Sequence, residues 1–70
     1  MREMYGEFIA LIRKKHYYSF TTHNERDGTV DFWTQDPLAQ DVLDRIQYGT
    51  EIGVRYNPRD KLASSVWTRY

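Results

Sequence analysis

The chain has no cysteine, which excludes disulfide staples and thiolate zinc sites. That absence fits a reducing cytoplasm, the compartment expected for it. Histidine is scarce: His16 and His23 stand seven apart with no clustered partner ligands, so no metal site is expected. The longest apolar run, Phe8 to Ile12, is too short for a membrane span or for the core of a signal peptide. No phosphate-cradling glycine loop and no nucleophile–base–orienter set is present. Asp41 and Asp44 share a helix and read as surface charge, not as an acid–base pair. The expectation is a soluble protein that is not an enzyme and needs no cofactor. Net charge is also missing: the formal sum is zero, which argues against a strong non-specific grip on nucleic acid.

What the chain does have is rings. At 70 residues it makes one domain, spanning 1–70, and a domain near that size buries only about 60% of its unfolded surface. Aromatic residues make up 16% of the sequence, and large rings give a small core much buried area per residue. Charge is unevenly spread. Residues 1–26 carry net +2, residues 27–51 net −5 and residues 52–70 net +3, so a basic face from the two ends beside an acidic middle is one arrangement, and solvated loops are the other.

Met4 to Ile12 reads as a strand whose near-continuous apolar character points to burial or a bulge. Arg13 to Lys15 is a charged turn. His16 to Thr22 is a second strand, with Tyr18, Phe20 and Thr22 on the inner face and Tyr17, Ser19 and Thr21 on the outer. Asp27-Gly28 signals a hairpin. Val30 to Gln35 is a third strand, with Val30, Phe32 and Thr34 inward and Asp31, Trp33 and Gln35 outward. Asp36-Pro37 opens a helix. Its apolar stripe is Leu38, Val42, Leu43 and Ile46, and Gly49 is a candidate cap. Glu51 to Tyr56 is the fourth strand. Asn57 to Asp60 is a turn, and Leu62 to Tyr70 is the last strand, with Trp67 and Arg69 alternating against Val66 and Thr68. Three strands, a helix and two strands is an all-β order. It suits the five-stranded OB-fold barrel with one short helix between strands three and four. An SH3-like barrel lacks a helix of that length at that point.

These residues resemble a divergent cold-shock domain, a family of OB-folds. Gly6-Glu7-Phe8 stands where that family begins its first strand. Lys15-His16-Tyr17-Tyr18-Ser19-Phe20 and Asp31-Phe32-Trp33-Thr34-Gln35 fall on its two aromatic strand motifs. Gly49-Thr50-Glu51-Ile52-Gly53-Val54 and Ala63-Ser64-Ser65-Val66 match its last two strands. The second half, from Asp27-Gly28 through Gly49, Val54, Pro58, Asp60, Val66 and Arg69, is also similar to bacterial translation initiation factor one, another OB protein. The chain departs from both. Ala10 stands where a stacking Trp is usual in cold-shock domains, Ser19 where a second Phe is usual, Gln35 where His is usual, and Tyr18 replaces a Gly. The initiation factor is basic around its helix, whereas Asp36, Asp41 and Asp44 make this one acidic.

The resemblance implies base stacking by Tyr17 and Trp33 and an edge contact from Gln35. Lys14 and Lys15, just before the aromatic stretch, are the candidate phosphate contacts. Arg13, Arg55 and Arg69 are secondary candidates of the same kind, and Tyr48 extends the aromatic platform or covers the barrel end. Two lost stacking positions, at about 1–3 kcal/mol per base, make the expected binding of single-stranded RNA or DNA weak and of low specificity. The rival expectation is an OB-fold protein-interaction module that has lost nucleic-acid binding. The protein is expected to be a monomer or weak dimer, with no membrane partner.

Overall fold

Alternation of large apolar and polar residues builds most of this molecule. A computed structural model of the chain describes residues 1–69. Its elements are β1 (Arg2–Arg13), β2 (Tyr18–Asn24), β3 (Gly28–Thr34), α1 (Pro37–Arg45), β4 (Glu51–Tyr56) and β5 (Ala63–Thr68). The expected end of the last strand at Tyr70 lies outside the described residues. The strands form one sheet in the order β3-β2-β1-β4-β5, with every neighbouring pair antiparallel. The sheet is not closed. Its two outer strands meet at a single parallel bridge, Trp33 with Leu62. Among the described residues, no helix is long and apolar enough to cross a membrane.

β1 begins two residues before the expected strand Met4–Ile12 and ends one residue after it, and of burial and a bulge, the two alternatives for its apolar run, it carries a bulge. Phe8 pairs with Thr22 and Ala10 with Thr21, so Ile9 is the extra residue. Before it, Met4, Gly6 and Phe8 are buried. After it, the phase reverses, and Leu11 opposite Phe20 packs on the core. The bulge thus reconciles a near-continuous apolar run with a sheet that needs alternation. β2 begins at Tyr18, not at His16: Lys14 donates its N–H to the Tyr17 carbonyl at 2.9 Å, closing a four-residue turn. The expected inner face of β2 and β3 is the observed one, with Phe20, Thr22, Phe32 and Thr34 buried and Tyr18 and Val30 partly so. The β2–β3 loop has three residues, 25–27. Gly28, at φ 71°, supplies the left-handed step that such a loop requires.

Asp36 caps α1, accepting the Leu38 N–H at 3.1 Å, and Pro37 takes the first turn. Two expectations for the helix are corrected. Leu38 is 77% exposed, while Ala39 and Leu43 are buried; Val42 and Ile46 pack beside them. Three of the four expected stripe residues, Val42, Leu43 and Ile46, thus face the core, and Ala39 takes the place expected for Leu38. Gly49 is not the cap, because the helix ends at Ile46, whose backbone is extended. Gly49, at φ 92°, instead folds the connection back onto β1, where its N–H reaches the Phe8 carbonyl at 2.7 Å. The core is centred on Phe8, Phe20, Phe32, Leu43, Ile52 and Val54.

Candidate functional site

The outer face of the sheet is built in cross-strand rows. Ile12, Ser19 and Trp33 form one row across β1, β2 and β3; Ala10, Thr21 and Asp31 form the next. The residues between the rims are small, so Ser19, Thr21 and Ala10 floor a shallow surface with Trp33 standing at its edge. Thr21 donates its hydroxyl to Asp31 at 2.6 Å, which places a fixed carboxylate on this face.

Tyr17 and Trp33 are brought together. Their ring centroids lie 5.9 Å apart at 85°, so they form a corner rather than two parallel plates. A base stacked on one ring meets the other edge-on, a favoured aromatic geometry. Tyr17 sits at the end of the β1–β2 turn, not within β2, and Trp33 is half-buried on β3. Lys14 and Lys15 lie in that same turn, exposed, and neither joins an ion pair among the described residues. Gln35 is exposed just past the end of β3, between Thr34 and the helix cap.

A second loop reaches Trp33. Its indole Nε1 donates to the Asp60 carbonyl at 2.9 Å, and its backbone N–H donates to the Lys61 carbonyl at 3.2 Å. The β4–β5 loop, which carries Arg59 and Lys61, is thereby fastened to Trp33 through the backbone of Asp60 and Lys61, and the Lys61 ammonium donates to the Pro58 carbonyl at 3.5 Å. Lys61 has φ 65° and is the one non-glycine with positive φ among the described residues. Its Nζ lies 5.5 Å from the centre of the Tyr56 ring. The sequence reading missed this loop. Asn57-Pro58-Arg59-Asp60 reads only as a turn, and nothing local says that it packs on a Trp nearly thirty positions earlier. The one available signal was the expected resemblance to OB-folds, in which the loops between strands 1 and 2 and between strands 4 and 5 bind ligands beside the strand 2–3 face.

The secondary candidates lie elsewhere. Arg13 donates Nε to Asp44 at 2.7 Å, and Tyr18 donates its hydroxyl to the same carboxylate at 3.0 Å. This cluster ties the foot of the β1–β2 turn to α1. The Arg13 hydrogen bond holds the Asp44 carboxyl below its ordinary pKa, and the Asp44 hydrogen bond raises those of Tyr18 and Arg13. Arg55 pairs with Glu3 and Arg69 with Glu51. Tyr48 packs on Phe8, with centroids 5.2 Å apart. Comparison with protein-family models, curated proteins and solved structures finds no match for this chain.

Proposed function

We propose that this protein binds single-stranded RNA or DNA, weakly and with little sequence preference, on the outer face of an OB-like, partly open barrel. The role is non-catalytic and cytoplasmic. The barrel reading is supported by the strand order and by the parallel bridge that joins the ends of the sheet at Trp33 and Leu62. One observation carries the function: the Tyr17–Trp33 corner lies where two basic loops meet, with Lys14 and Lys15 in one and Arg59 and Lys61 in the other. Rings stack bases of any sequence, and flanking cations hold phosphates. Gln35, beyond the end of β3, supplies an edge contact. Asp31 on the same face and a neutral net charge keep the binding weak.

Ile12 favours a second reading. It is 55% exposed in the same row as Trp33, which suits an apolar protein partner. Salt separates the two, because phosphate contacts weaken steeply as salt rises. The test is anisotropy of a labelled oligo-pyrimidine at low and physiological salt, with Trp33→Ala beside wild type. Binding that falls with salt and is lost in the variant is the expected result. No binding at tens of micromolar folded protein overturns the nucleic-acid reading in favour of the interaction module.

A further inference from the structure

The outer face carries a second Tyr–Trp corner. Tyr5 and Trp67 have centroids 6.1 Å apart at 85°, nearly the geometry of Tyr17 and Trp33. The seat of Trp67 is Gly53, its cross-strand partner. A Cβ placed on Gly53 would lie 2.3 Å from Cε2 of the indole, 2.5 Å from Cζ2 and 2.6 Å from Nε1. The ring-fusion atom is the nearest of the three. An edge-on approach would bring Nε1 or Cζ2 closer, so the indole lies with its face on the glycine. Its opposite face turns away from the sheet.

The two corners are linked along β5. Trp33 is bridged to Leu62 at the start of that strand, and Trp67 lies five residues further on. Extended chain covers that interval in about 16 Å. Between Lys61 and Arg69 the sequence has no carboxylate. Ser65, on the outer face, stands opposite Arg55. Arg55 holds Glu3 in an exposed pair, which is weak, at the margin of the path, while Arg69 pairs with Glu51 and lies over one side of the Tyr5 ring, 4.5 Å from its centre. A stacked single strand rises about 3.4 Å per nucleotide, so roughly five or six nucleotides span the two rings.

We infer that the nucleic-acid track does not end at Trp33 but continues along the outer side of β5 to a second stacking site, Tyr5–Trp67. The ligand is then a single strand of about six nucleotides, passing Lys61 and Ser65 on its way. This rests on the single-strand reading above.

The chain has two tryptophans, so Trp33→Phe and Trp67→Phe each leave one reporter. Both are titrated with a thymidine hexanucleotide and with the dinucleotide. The expected result is saturable quenching of both reporters by the hexamer. In wild type the hexamer binds about 5- to 150-fold tighter than the dinucleotide, the worth of one further stacked base. Ser65→Glu, an outward residue midway along the path, weakens the hexamer and leaves the dinucleotide unchanged. Quenching of Trp33 with no change at Trp67, or a Ser65→Glu protein that binds the hexamer normally, overturns the extended track and leaves the Trp33 site standing. No quenching of either reporter overturns both.

Discussion

The indole nitrogen of Trp33 donates to the backbone carbonyl of Asp60 at 2.9 Å. That bond fastens the β4–β5 loop to the outer face of β3, and with the single backbone bridge beside it it holds the two ends of the sheet together. A residue proposed to stack a base is therefore also a clasp. Trp33→Phe keeps a ring but removes the donor, at about 0.5–1.5 kcal/mol for a hydrogen bond. Chemical denaturation should show that loss, and amide exchange should quicken in residues 59–62 while the β1–β4 ladder stays protected.

Lys61 holds a left-handed backbone that costs a non-glycine residue about 1–2 kcal/mol. Lys61→Gly relieves it. The expected variant is as stable as wild type or more so, because the lost strain offsets the added chain entropy of glycine. It binds an oligo-pyrimidine less tightly, with a shallower dependence on salt. Thermal melting and a salt-series titration check the two halves separately. A variant that is both less stable and unchanged in binding would assign Lys61 to folding alone.

Gly53 is the seat of Trp67. Gly53→Ala drives a methyl into the indole face and must displace it, for a cost of about 1–3 kcal/mol typical of overpacking. The midpoint of urea unfolding should fall, and Trp67 emission should shift to the red as the ring lifts from the sheet. Gly53→Ala in a Trp67→Ala background should be far milder, because the clash is gone.

How far the sequence reaches is clearest strand by strand. In β2 and β3 the inner set Phe20, Thr22, Phe32 and Thr34 is legible because period two is unbroken over both strands. In β1 the consecutive apolar residues point to burial or a bulge, and only the pairing with β2 places the bulge at Ile9. The face of α1 is legible in Val42, Leu43 and Ile46, which turn to the core, but not in its first turn, where Ala39 is buried and the larger Leu38 faces out. Of the site, Tyr17 and Trp33 are legible as outward rings from alternation and resemblance, with Lys14 and Lys15 beside them. The loop carrying Asp60 and Lys61 is not, because its contact with Trp33 is a long-range closure with no local signal. The seating of Trp67 on Gly53 needs the β4–β5 register, which the sequence leaves open across the irregularity after Arg55.

Asp44 anchors Arg13 and Tyr18, and its hydrogen bond is the main cause of the raised Tyr18 pKa. Asp44→Ala should therefore lower the pH at which the Tyr18 phenol ionises, read by its ring signals in an NMR titration. The carboxyl of Asp44 is itself depressed, chiefly by Arg13. The stability that it contributes is present above the ordinary carboxylate pKa and is lost as pH falls through its lower folded value. Wild type should lose that contribution in acid, and Asp44→Ala should show a flatter stability profile there. At neutral pH the difference should be small, since the pair is exposed to solvent.

A single strand is proposed to lie on the corner formed by Tyr17 and Trp33 between two basic loops. The most direct measurement is amide chemical-shift mapping of the labelled protein titrated with a thymidine hexanucleotide. Shifts should appear at Lys14–Tyr17, Ser19, Trp33 including its indole N–H, and Arg59–Lys61, joined by Ser65 and Trp67 where the strand runs on along β5, and should fade as salt is raised. Shifts confined to the opposite end of the molecule, around Arg2, Arg26 and Asp27, or no shifts at all at millimolar strand, would contradict the account.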